Sequence, residues 1–107
     1  MISQPAEKAM ATSVLPFNIG DLKYMGVLNS SNDLNELNDG IYYIQATAPA
    51  NSPGNGTVWC ILYQFTPTSS MIHQYIIKPA GFKIWARERS GNPNVWLGWT
   101  AFTGVAV

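Results

Sequence analysis

From Ile41 onward the chain alternates between apolar runs of strand length and clusters of Pro, Gly, Asn and Ser. Ile41 to Ala46 has the aromatic and β-branched content of a strand. Thr47 to Gly56, TAPANSPGNG, is a loop built of turn residues. Thr57 to Phe65, TVWCILYQF, is the strongest strand candidate. Val58, Cys60, Leu62 and Gln64 alternate there with Trp59, Ile61, Tyr63 and Phe65, and both sets are largely apolar. A strand of that kind is covered on both sides. In an antiparallel domain this small, a neighbouring subunit can supply the second cover. The same argument expects Trp59 and Cys60 to be shielded from water.

A short turn over Thr66 to Ser70 leads to Met71–Lys78, which pairs back as a hairpin. A turn centred near Pro67 and Thr68 would set Cys60 opposite Ile76 and His73 opposite Tyr63. Pro79-Ala80-Gly81 turns the chain again. Phe82 to Arg89 follows, with Phe82, Ile84 and Ala86 on one face and Lys83, Trp85, Arg87 and Arg89 on the other. Ser90 to Asn94 is a turn, and Val95 to Phe102 closes the series. Short strands with Gly/Pro turns at this spacing predict an all-β domain, a small antiparallel β-sandwich or meander.

The first part of the chain follows different rules. Ala6 to Ala11 carries helix formers between Pro5 and Pro16, barely two turns and too short to stand alone in water. Residues 1–17 therefore read as an anchor or linker ahead of a domain over 18–107. Further on, NSSNDLNELNDG (29–40) holds three of the six acidic residues. Ser31 or Asn32 is placed to N-cap a short turn, with Asp33 and Glu36 near its positive end. Leu34 and Leu37 are three apart and both point inward. Asn38-Asp39-Gly40 then stops the turn and launches the strand. Capping and turning account for these carboxylates better than an acidic catalytic or metal site does.

Composition narrows the function classes. The 107 residues suffice for one domain. They are 47% hydrophobic and only 11% charged, against roughly 25% charged in typical soluble domains. Six basic and six acidic residues cancel, so there is no basic stripe for nucleic acid and no patch for an anionic membrane. So few polar residues leave apolar surface to be buried against other chains. One cysteine allows neither an internal disulfide nor a zinc cage. No stretch reaches the ~20 apolar residues of a spanning helix.

Candidate chemistry is sparse. Cys60 and His73 would be roughly 10 Å apart along the expected hairpin, too far for a nucleophile–base pair. His73, the one histidine, could line a threefold axis and hold a metal, but the simpler reading is a strand histidine bonded to a neighbour. Asp33, Glu36, Asp39 and Glu88 are the carboxylates to consider for glycosidic chemistry, and nothing selects a pair among them. The tryptophans Trp59, Trp85, Trp96 and Trp99 serve either core and interface or sugar stacking. Trp85 is the best stacking candidate because its strand face carries Lys83, Arg87 and Arg89.

The order of these segments resembles a known family. Asp33-Leu34-Asn35, then Leu37, then Gly40-Ile41-Tyr42-Tyr43-Ile44 is similar to the start of the pyocin-knob type domain that ends many phage and pyocin fibres. A turn-rich loop, a hydrophobic strand, a Gln-containing strand (His73–Ile76) and an aromatic-basic strand (Ile84–Arg89) follow in the family's order. A closing Trp-x-x-Trp, Trp96 to Trp99, completes the match over about Asn18 to Phe102. The resemblance implies a β-sandwich that forms a homotrimer about a fibre axis on the virion. It implies a structural and host-attachment role without catalysis, cofactor or metal. A host-surface glycan is the implied ligand, with Trp85, Arg87 and Tyr75 as the candidate contacts. Family knobs usually end a long shaft, whereas only some 20 residues precede this domain. As a complete product the chain would be a short standalone fibre, with residues 1–17 docking on other virion proteins of head or tail. Two alternatives stay open: a trimerisation or decoration module with no outside ligand, and, with less support, a depolymerase of cell-surface polysaccharide.

Overall fold

A computed structural model describes residues 22–91 and 93–105. The expected anchor over 1–17 lies outside the described residues. Strands β1 (Tyr24–Leu28), β2 (Gly40–Ile44), β3 (Cys60–Thr68), β4 (Met71–Lys78), β5 (Lys83–Ser90), β6 (Val95–Trp96) and β7 (Thr100–Thr103) all belong to one mixed sheet. The order is β1-β2-β3-β4-β5-β6, and β7 pairs with the same edge of β5 beyond β6. The described residues are all-β, as expected. The antiparallel plan holds from β2 onward, but β1 is parallel to β2.

The β3–β4 hairpin pairs Leu62 with Ile76 and Phe65 with His73. That is two residues away from the expected register, because the turn falls at Ser69-Ser70 after an irregularity between Phe65 and Thr68. A slip of two preserves the face of every side chain; a slip of one would have inverted them. Tyr42, Ile44, Cys60, Leu62, Ile76 and Trp85 point to one side and are buried there.

Two irregular segments, not a second sheet, cover that side. The first runs from Asn29 to Asp39 and contains a single 3-10 turn, Leu34–Glu36. Its cap is Asp33, one or two residues later than expected: Asp33 Oδ1 accepts from Asn35 N at 2.9 Å. Leu34 drops into the core with no exposed surface, and Leu37 packs beside it. The second segment, 45–59, is tied to the first where Leu34 N donates to Ala50 O and Ala50 N donates to Asn32 O. Buried Thr57 closes it by donating from Oγ1 to Gly54 O at 2.7 Å.

The opposite side of the sheet carries no such covering segment among the described residues, where Leu22 shares a small cleft with Tyr63, Phe65, Tyr75 and Ile77. Across six strands, Val27, Tyr43, Ile61, Ile77, Ile84 and Phe102 stand in register as one apolar row. A second row runs Ile41, Tyr63, Tyr75, Ala86, Thr100. The side chains on β2 to β5 are half-buried, whereas Val27 at one edge and Thr100 and Phe102 at the other are exposed. Trp59 breaks the expected pattern differently. It precedes β3, at a positive φ of 62°, and is 57% exposed, whereas Cys60 is fully buried. The left-handed conformation turns the indole off the sheet before the strand begins.

Candidate functional site

The residues singled out as ligand contacts divide between the two faces. Trp85 and Arg87 lie on the covered face, 7% and 9% exposed, so the expectation that they meet a ligand at the surface is corrected. The charged alternation of β5 suggested solvent, but partners from four other segments draw Arg87 inward. Its Nε donates to Gln74 Oε1 at 2.8 Å and an Nη donates to Asn35 Oδ1 at 2.9 Å. The guanidinium stacks 3.9 Å from the Trp96 ring centroid and 4.6 Å from that of Trp99. Trp99 is held in turn by Nε1 donating to Asn51 O at 2.9 Å.

Gln74 extends this arrangement into a polar row across the apolar core. Its amide nitrogen donates to Gln64 Oε1 at 2.7 Å and to Leu34 O at 2.6 Å. Gln64 donates to Leu37 O at 2.8 Å, and Asp39 accepts from Gln64 and from Thr66. No buried side-chain nitrogen or oxygen among the described residues is left without a partner. Asn35, Leu34 and Leu37 close the covered face, and Trp96 and Trp99 clamp Arg87. Tyr42 donates from its hydroxyl to Asn38 O at 2.7 Å. Gly40 starts β2 where β1 approaches closely.

Burial pushes Arg87 down from its ordinary value to about 10, with the attraction of Asp33 opposing the shift. It remains charged at neutral pH. Asp33 is held below the usual carboxylate range, first by the Asn35 N–H, then by the Asn51 amide, and less by Arg87. These are the signs of a satisfied structural network.

The open face holds the other candidate group. His73 Nε2 lies 2.8 Å from Glu88 Oε1, and Ser90 Oγ donates to Glu88 Oε2 at 2.6 Å. The Ser90 hydroxyl and then His73 lower the Glu88 carboxyl below its ordinary value. The order of the three is wrong for a nucleophile. In a Ser–His–acid triad the imidazole stands between hydroxyl and carboxylate. Here the carboxylate stands between, and a depressed carboxyl is a poor base. Cys60 and His73 lie on opposite faces, and burial raises the Cys60 thiol. The described residues contain no cluster of three His, Cys, Asp or Glu side chains suited to a metal. His73 is bonded within its own chain to Glu88, with Phe65 edge-on at 5.3 Å.

Tyr75, the third expected contact, lies on this open face, stacked on Phe65 at 5.7 Å. A shallow groove of about 350 Å³ runs beside it between His73, Glu88, Leu97 and Phe102. The role of Gln64 and Gln74 was missed in the sequence, although two glutamines in apolar strands were its signal. No family model matches the chain, and neither does any curated protein or solved structure.

Proposed function

We propose that this chain is the knob of a bacteriophage fibre, a homotrimer carried on the head or tail of the virion, that attaches the particle to its host. The observation that supports this reading is the open apolar face. Its main row spans six strands, roughly 24 Å at ~4.8 Å per strand. Monomeric proteins rarely leave so continuous an apolar surface to water. Three copies that turn this face towards a common threefold axis would bury the rows that the described residues leave open. Fibres carry no catalytic machinery in this reading, and residues 1–17 join the knob to other virion proteins. Light scattering on the purified chain is expected to return three times 11.7 kDa. A stable monomer at micromolar concentration would overturn the trimer.

The burial of Trp85 and Arg87 favours, for those two residues, the purely structural alternative. In that alternative the trimer decorates the particle and binds nothing outside it. Adsorption of the labelled protein to host cells separates the two: saturable binding supports attachment, and its absence supports decoration.

A further inference from the structure

We propose that the rim of the sheet beside Trp59 is a binding site for an anionic saccharide; this rests on the host-attachment reading and gives it a location. Three independent features converge there.

The first is a tryptophan whose side chain the fold does not need. At φ 62° a bulky side chain is strained where Asn or Gly would sit easily. The segment is fixed through the backbone, by Trp59 N donating to Ile44 O at 2.8 Å, so the indole is not what holds it. With 57% of its surface exposed and only a tilted contact to Tyr43 at 6.4 Å, the ring contributes little to the core. Strain kept for an exposed aromatic is a mark of function.

The second is charge. Lys78 and Lys83 stand directly opposite each other at the same end of the β4–β5 pair. Like charges in register across strands repel. Neither forms an ion pair among the described residues. Lys83 rests over the Trp85 ring at 5.1 Å, and Lys78 lines the Trp59 groove. An anion placed there would relieve the repulsion.

The third is the groove itself, about 410 Å³ and open, lined by Asn55, Gly56, Val58 and Pro79 together with Trp59 and Lys78. A flat indole, an amide and an ammonium are the groups that hold a pyranose ring with an acidic substituent: the ring stacks, the hydroxyls meet the amide, and the acid meets lysine. The neutral net charge and the lack of a basic stripe argue against nucleic acid.

The test is titration of the full chain with trigalacturonate and with neutral maltotriose, followed by tryptophan fluorescence and NMR shifts. Trigalacturonate is expected to bind more tightly. Trp59→Asn should weaken both sugars about tenfold, the loss expected of one stacked ring. Its thermal midpoint should equal or exceed that of wild type, since Asn accepts the backbone angle. Lys78→Gln should weaken only the acidic sugar, about threefold. Unchanged affinity in Trp59→Asn overturns the site, as does wild type that binds neither sugar. A change of assembly mass in Trp59→Asn overturns it too, by making Trp59 a contact between copies. Host-cell adsorption keeps the two proposals apart. Adsorption that survives Trp59→Asn sinks this site and leaves attachment standing. Wild type that fails to adsorb sinks attachment, while the titration still judges the site.

Discussion

Arg87 and Gln74 face each other in register on β5 and β4, and Arg87 Nε donates to Gln74 Oε1 at 2.8 Å inside an apolar core. This contact links the sheet to its cover, since Gln74 also reaches Leu34 O and Arg87 reaches Asn35. The cover is loop, with little regular hydrogen bonding of its own. Side chains from the sheet must satisfy its inward backbone groups. A glutamine–arginine row does so while the surrounding Leu and Trp side chains exclude water.

Arg87→Lys should be strongly destabilising despite keeping the charge. A lysine cannot reproduce the fork that reaches Gln74 and Asn35 at once, nor stack flat between Trp96 and Trp99. Leaving two acceptors short of partners costs about 2–5 kcal/mol. Urea unfolding should show that loss with an unchanged slope.

Gly40→Ala tests the seam between β1 and β2. Gly40 has φ +154°, and a Cβ there would run into Met25 Cγ and lie 2.9 Å from Lys23 O. Lys23 O is also the acceptor for Ile41 N at 2.8 Å, so the clash falls on a bond that starts the parallel pairing. A loss of about 2–3 kcal/mol is expected, of the size that overpacking gives. Amide exchange should accelerate first in β1.

How far the sequence could be read follows from where the determining contacts lie. The strand Met71–Lys78 emerges with the bounds that local pattern and turn residues gave it. The pairing that makes β1 does not show in Tyr24–Leu28, because YMGVL has a glycine at its centre and its partner is distant in sequence. The closing strand was expected whole and is broken between Trp96 and Thr100. Trp99 is drawn out of the ladder to reach Asn51 O, a contact 48 residues away. The face assignment of β5 was right in its alternation and inverted in its meaning. Lys83, Trp85, Arg87 and Arg89 do share a side, but it is the covered one. Burial of an arginine depends on acceptors and rings supplied from elsewhere, and no local pattern records those.

The acid limb of stability should depend on Glu88. Its folded carboxyl is lowered from an ordinary value of 4.5 by the Ser90 hydroxyl and by His73. The unfolded chain therefore takes up protons more readily, and stability rises with pH through this range. The contribution is complete above pH 4.5 and is lost as pH falls through the depressed folded value. Asp33, lowered from 3.8 chiefly by the Asn35 N–H, adds a second loss further down. Glu88→Gln should flatten the upper part of the acid limb and leave the Asp33 part intact. An acid limb identical to wild type would assign the loss to other groups.

Ile77→Glu addresses the open face most directly. Ile77 is half-buried at the middle of the six-strand row, with Ile61 and Ile84 opposite it on either side. In a lone chain the new carboxylate reaches water, so the fold should persist with a change of about 1 kcal/mol. In an assembly that covers this face, each copy would bury an unpaired charge, at several kcal/mol apiece. The expected outcome is native far-ultraviolet circular dichroism with the mass reduced to 11.7 kDa. Ser69→Glu, in the exposed β3–β4 turn, is the control and should keep the wild-type mass. If Ile77→Glu also keeps that mass, the assembly is held together elsewhere than on this side of the sheet. If wild type is already a monomer, no second copy covers the apolar rows.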